Sequence, residues 1–305
     1  MSRTAASAGP LFVGPLFAGL CDDAAMFPPG DAPAAAAVPG HAAHRAAWYA
    51  PLVGPLLVPA GRIDEVAAAI RVEADLGGRP EHPDAVLVVP GGPRALHSAL
   101  DDARHRSLRV VGVEVACDRA GDAAGATRAA VAALREELPA GVGGVVEVRR
   151  GDGMAAALEA VAGTGWRAKL RTGGLAAEAF PGPAEVARFL RACVALHLPF
   201  KCTAGLHHAV RHTDPATGFT HHGFLNILAA THVARDGGDE SDIADTLDQR
   251  SGRSLAAAVA DLPPDQVAAT RAAFTAYGTC SIAEPLNDLA ALDLIAVPSP
   301  HLEQA

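Results

Sequence analysis

Two lysines are the only side-chain amines in this 305-residue chain: Lys169 in Ala-Lys-Leu-Arg-Thr-Gly-Gly and Lys201 in Phe-Lys-Cys-Thr-Ala-Gly-Leu-His-His. Lys and Arg together number 25, so 25 − 2 leaves 23 arginines. Guanidinium keeps its proton in a protein, whereas lysine becomes a neutral nucleophile or base where its surroundings disfavour the ammonium. Each lysine closes a short β-like run that is followed by glycine, and the two lie one strand–helix–strand unit apart. This placement points to amine chemistry at neighbouring strand ends. The plain alternative is a GC-biased genome that favours arginine codons and spared two lysines by chance. To react as an amine near neutral pH, Lys169 must lose roughly 3 units from a pKa of ~10.4, about 4 kcal/mol of disfavoured charge. A second cation nearby, Lys201 or Arg171, is one way to do so.

The elements that must position these amines follow a repeating pattern: an apolar, β-branched run, a turn rich in Gly, Pro or Asp, then an Ala-rich amphipathic stretch. The strand candidates are Leu16–Leu20, Pro55–Pro59, Ala85–Pro90, Arg109–Ala116, Val142–Arg149, Arg167–Thr172, Pro199–Thr203 and Ala276–Ile282. Helical periodicity falls near 33–48, Arg62–Leu76, 93–104, 124–137, 153–162, 183–195, 221–235, 240–249, 264–275 and Pro285–Leu292. Strands alternating with helices of 10–15 residues imply right-handed βαβ units and a parallel sheet. Eight of them predict an α/β protein with a (β/α)8 TIM barrel, residues 1–305 forming a single domain. An open doubly wound sheet is the alternative, but no GxGxxG follows the first strand. The interval 206–275, between strands seven and eight, is expected to be a helical insertion that closes over the substrate as a lid.

Chemistry in such a barrel sits at the carboxyl ends of the strands. Counting every second residue inward places Glu114 on strand four, Glu147 and Arg149 on strand five, Lys169 and Arg171 on strand six, and Lys201 and Thr203 on strand seven. Charges in otherwise apolar strands must be paired or wet, because an unpaired buried charge costs several kcal/mol. The plain account is a set of ion pairs plugging the barrel. The functional account is a site where both signs converge on consecutive strands.

These residues resemble the class I deoxyribose-phosphate aldolase family. Its imine-forming strand reads Lys-x-x-Thr-Gly, as Lys169-Leu-Arg-Thr-Gly173 does, and its next strand carries a second lysine in a run similar to Lys201-Cys-Thr-Ala-Gly205. Gly278-Thr-Cys-Ser281 is similar to the family's Gly-Thr-Ser-Ser, and Asp22-Asp-Ala to its Asp-His-Thr. The resemblance implies a lyase acting on a small carbonyl or keto-acid substrate, with no cofactor. It assigns the imine to Lys169, depression of that lysine's pKa to Lys201, and proton relay through water to a carboxylate such as Asp22 or Glu114, with Glu147 beside them. The chain departs from the family where phosphate-binding glycines would follow strand seven. His207-His-Ala-Val-Arg-His212 stands there instead, leaving Arg149, Arg171, Thr203, His207, His208, Arg211 and Ser281 as candidates to hold the substrate.

The histidines carry the rival reading. His207, His208, His212, His221 and His222 fall within 16 positions and, with Asp214 and Glu114 or Glu147, could ligate a divalent transition metal such as zinc in a metal-dependent hydrolase or lyase. Adjacent histidines on an extended strand face opposite sides, and no HExxH is present. A non-catalytic barrel binding a small acidic ligand is a third class. Composition narrows the partners: 4% aromatic residues and a formal charge of −9 argue against nucleic acid. No apolar run reaches the ~18–20 residues a membrane span needs. The stretch Leu11–Leu20 before Cys21 is a poor signal segment, with only Arg3 ahead of it and Pro15 within it. Five cysteines without a CxxC pair fit a reducing cytoplasm, and a homo-oligomer is compatible with the composition. Trp48, Trp166 and Tyr277 are expected to pack, and Phe27-Pro-Pro-Gly to form a rigid turn, with shaping of the site mouth as the alternative.

Overall fold

The computed structural model describes residues 12–75, 82–118 and 120–298. In chain order it runs β1 (Cys21–Asp23), α1 (Ala34–Ala46), β2 (Val53–Pro59), α2 (Ile63–Asp75), β3 (Ala85–Val89), α3 (Leu96–His105), β4 (Val110–Ala116), α4 (Ala123–Glu137), β5 (Gly143–Glu147), α5 (Met154–Val161), β6 (Arg167–Arg171), α6 (Pro183–Ala195) and β7 (Phe200–Thr203). A short antiparallel hairpin follows, β8 (His212–Thr213) with β9 (Thr220–His221), then α7 (Phe224–Arg235), α8 (Glu240–Asp248), α9 (Gly252–Ala260), α10 (Pro264–Ala273), β10 (Phe274–Thr279) and α11 (Ala283–Ala291). Eight parallel strands close in the order β1, β10, β7, β6, β5, β4, β3, β2, with β2 pairing back to β1. This is the (β/α)8 barrel that the alternating pattern predicts.

The strands form where β-branched runs alternate. Leu56, Val58, Leu87, Val89, Val113, Val115, Val146 and Leu170 point outward, and all are buried in one continuous core beneath the helices. Local chemistry sets several helix starts. The Asp122 carboxylate accepts the Gly125 N–H at 2.6 Å ahead of α4, Asp239 and Asp242 form a reciprocal capping box on α8, and Ser251 caps α9.

The first strand differs from expectation. Leu16–Leu20 forms a turn that packs Leu16, Phe17 and Leu20 into the core, and the strand is the next three residues, Cys21-Asp22-Asp23. Pairing with β10 and β2 fixes this register, Asp22 lying beside Gly278. A three-residue strand with two acids shows no hydrophobic alternation, so tertiary partners create it. Arg3 and Leu11, and Leu76 at the end of the predicted second helix, lie outside the described residues. Within 206–275, α7 belongs to the outer helical layer, packed on α6, α8, α9 and α10 with nine of its 12 residues buried. The loop 204–211 and the hairpin stand at the carboxyl end of β7. Among the described residues, no helix is long and apolar enough to cross a membrane.

Candidate functional site

Glu147 on β5 lies beside Lys169 on β6, Lys169 beside Lys201 on β7, and Lys201 beside Ala276 on β10. Shared register therefore puts both amines on the inner face of the barrel, where Glu114 and Asp22 reach them from β4 and β1. Lys169 Nζ donates to Glu114 Oε2 at 2.5 Å and pairs with Glu147 Oε2 at 2.9 Å. Lys201 Nζ donates to Glu114 Oε1 at 2.5 Å and to Asp22 Oδ2. One carboxylate thus holds both amines, one on each oxygen, and a second carboxylate flanks each amine on its far side. The lysines are 2% and 1% exposed. Space for the Asp22 carboxylate depends on Gly54, whose absent Cβ would collide with Asp22 Oδ1.

Burial disfavours every one of these charges, and the neighbours decide the outcome. Burial alone would lower the Lys169 pKa, but Glu114 and Glu147 outweigh it and raise the amine above its usual range. Burial would raise Glu114, yet Lys169 and Lys201 hold its carboxyl down to about 2. Glu147 is likewise lowered against burial, by Lys169 and Arg171. Asp22 goes the other way, because burial raises its carboxyl more than Lys201 offsets. The electrostatics differ from the expected arrangement, in which Lys201 depresses Lys169. A carboxylate sits between the two amines, so Lys169 rests as an ammonium, and Asp22 is the acid that most readily carries a proton.

The other candidate residues divide. Arg171 reaches the site, its half-exposed guanidinium 3.3 Å from Glu147 Oε1. Thr203 lies at the end of β7, its carbonyl accepting the Thr172 N–H at 2.8 Å and hydroxyl at 3.1 Å. The Ser281 hydroxyl accepts the Glu284 N–H at 3.3 Å where α11 begins. Arg149 turns to the Gly121 carbonyl at 2.7 Å, away from the lysines. Arg211 pairs with Asp248 at 2.9 Å and meets His222 Nδ1 at 3.3 Å, which directs it toward α8.

Each histidine is also engaged. His207 Nδ1 lies 3.0 Å from Glu284 Oε2 and 3.7 Å from Cys280 Sγ, and His208 Nδ1 lies 3.1 Å from Asp288 Oδ2, so both are tied to α11 or the turn before it. His212 and His221 are cross-strand partners with stacked rings 5.2 Å apart. Buried His222, pushed down to about 4 by desolvation and then by Arg211, contacts the Pro181 carbonyl at 2.9 Å. Asp214 accepts the Ala216 N–H at 2.7 Å within the hairpin turn. Among the described residues, no three His, Cys, Asp or Glu side chains are grouped to hold a metal ion.

One feature escaped the sequence. Asp23 faces outward from β1, and its Oδ2 lies 3.0 Å from His41 Nδ1 on α1, both side chains buried. The Asp-Asp pair at a strand start was the available signal, since adjacent strand residues face opposite sides. Phe27 packs into the barrel mouth, and Arg62 fastens its loop by donating to the Met26 and Ala32 carbonyls at 3.2 and 3.1 Å. Tyr277 is packing, as expected: it stacks on Phe224 with centroids 5.1 Å apart.

No family model matches the chain, and no curated protein is similar to it. Among solved structures, a variant of the carboxyl transferase domain of Rhizobium etli pyruvate carboxylase, determined with pyruvate, is similar with a TM-score of 0.44 at 13% identity, over 85% of this chain and 49% of that one. The chain therefore spans about half the length of that neighbour. Deoxyribose phosphate aldolase from Aeropyrum pernix is similar with a TM-score of 0.34 at 16% identity, over 77% of this chain and 88% of that one. Likeness at this level assigns no activity.

Proposed function

We propose that the protein is a carbon–carbon lyase of the aldolase type that acts on a small carbonyl compound through an imine on Lys169. The observation that carries this reading is the convergence of the chain's two amines inside the barrel on the two oxygens of Glu114. Catalysis begins with transfer of a proton from the Lys169 ammonium to Glu147, the most exposed of the flanking carboxylates. The free amine adds to the carbonyl carbon. The carbonyl oxygen then leaves as water, taking one proton from the nitrogen and one from Asp22, and an iminium remains. The iminium draws in the electron pair of the neighbouring carbon–carbon bond as that bond breaks, and the Asp22 carboxylate takes the hydroxyl proton of the departing fragment. Lys201, held between Asp22 and Glu114, stabilises the developing negative charge on oxygen.

Borohydride trapping with a panel of small aldehydes and keto acids tests the proposal, read by intact mass and peptide mapping. The expected result is one reduced adduct at Lys169, lost in Lys169→Arg. No adduct with any compound, together with retained activity in Lys169→Arg, refutes it. Because Lys169 rests as an ammonium, trapping should accelerate about tenfold per pH unit below its raised pKa, and a rate flat between about pH 7 and 9 contradicts that resting state. A non-catalytic barrel for a small ligand is the second reading, favoured by the completeness of the ion pairing, and it gives no adduct.

A further inference from the structure

The barrel interior has two unlike walls. Strands β4 to β7 and β1 line one with Glu114, Glu147, Lys169, Lys201 and Asp22. Facing it, Ala24, Leu57 and Val86 form an apolar cluster separate from the main core, with Phe27 and Val88 packed against it. The register places this wall inside the barrel. Leu57 lies beside Val86, and Val88 lies beside Glu114, the carboxylate that holds both lysines. A Cβ on Gly278 would lie 3.2 Å from Leu57 and 3.8 Å from Ala24, and Gly278 is itself the neighbour of Asp22. The apolar wall therefore borders the strands of Glu114 and of Asp22, the carboxylates that hold the amines. It is also held rigidly, since the Phe27 N–H donates to the Ala24 carbonyl at 2.8 Å and Arg62 clamps the loop on either side. Phe27 and Val88 are only partly buried, whereas Ala24, Leu57 and Val86 beneath them are buried.

None of these five apolar side chains offers a hydrogen-bond donor or acceptor. A hydroxyl or phosphate laid against them would lose its water without replacement, whereas each methylene would leave water favourably. We infer that the substrate of the lysine site is an aliphatic carbonyl compound, its carbonyl toward Lys169 and an unsubstituted alkyl arm against Leu57, Val86, Val88 and Phe27. This rests on the imine reading above.

The test measures cyanoborohydride trapping at Lys169 under subsaturating acetaldehyde, propanal, butanal, glycolaldehyde and glyceraldehyde phosphate, each rate divided by that of free Nα-acetyl-lysine. The inference expects the normalised rate to rise about fourfold per methylene from acetaldehyde to butanal. Glycolaldehyde, which carries a hydroxyl where propanal has a methyl, should fall about tenfold below propanal. Val88→Thr, nearly unchanged in shape, should flatten the alkyl series, and an alkyl dependence as steep as in the native protein overturns the inference. A flat series in the native protein, or faster trapping of the hydroxylated or phosphorylated aldehydes, overturns this inference and leaves the imine intact. Absence of any adduct overturns the imine and this inference together.

Discussion

Replacing Glu114 by glutamine isolates the charge at the centre of the barrel. Glu114 is 1% exposed and receives Lys169 on one oxygen and Lys201 on the other. Glutamine keeps the shape, but it presents one neutral oxygen and turns an N–H donor toward an ammonium. Lys169 retains Glu147 and Lys201 retains Asp22, so neither amine is stranded. The carboxyl titrates at about 2 against an ordinary 4.5, a depression of 4.5 − 2 = 2.5 units. At about 1.4 kcal/mol per unit this is about 3 kcal/mol, in line with the cost of breaking a buried ion pair. Because the folded pKa is the lower one, the unfolded chain binds the proton first as the medium acidifies. The contribution is whole above about pH 4.5 and is lost as the pH falls through about 2. Asp22 works in the opposite sense: its raised carboxyl is protonated first in the folded state, so acidification relieves its cost. Both proteins carry Asp22, and to first order it cancels in their difference. Urea denaturation followed by circular dichroism at several pH values gives that difference from the midpoints and the m-value. Glu114→Gln should be less stable by about 3 kcal/mol at pH 7, with the gap closing toward zero near pH 2. A gap of the same size at both ends of that range, or none at pH 7, refutes the electrostatic account.

Other substitutions probe the support of the site. Gly54→Ala places a methyl group against Asp22 Oδ1 and should cost about 1–3 kcal/mol by overpacking; an unchanged urea midpoint would mean that this carboxylate is not held where Gly54 makes room. Among the described residues, His41→Leu leaves the buried Asp23 carboxylate with only the Ala25 N–H at 3.1 Å, and should destabilise by about 3 kcal/mol or more. Adding Asp23→Asn should then recover much of that loss, and additive losses in the double-mutant cycle would show that the two residues do not interact.

Much of the architecture was legible because it rests on short-range patterning. Strands β3 to β5 are valine-rich runs with Gly, Pro or Asp nearby, and the helices between them repeat apolar residues at 3.6-residue spacing, so order and type follow from local chemistry. α9 is only nine residues long and buries just Leu255 and Val259, so few apolar positions mark it in the sequence beyond the Ser251 cap at its start. Within the site, Lys169 and Lys201 could be placed side by side from their separation alone, since one βα unit puts consecutive residues of this kind on adjacent parallel strands. Glu147, next to Lys169 in register, was within reach of the same reasoning.

What the sequence determined by itself is therefore the barrel, the inward face of β4 to β7 and the identity of the charged residues on it. Closure decided the rest. β1 is a strand only because β10 and β2 pair with it, and its two acids part to opposite sides, Asp22 to Lys201 and Asp23 to His41. The stagger of the strands brought Glu114 between two lysines 55 and 87 residues away, and that contact, which no local pattern encodes, reversed the expected direction of the Lys169 pKa. The histidines met partners on or near α11 some 77 and 80 residues on. Periodicity reports which face of an element is apolar. Which charges lie within 3 Å of one another is settled only by how the closed sheet sets its strands in register.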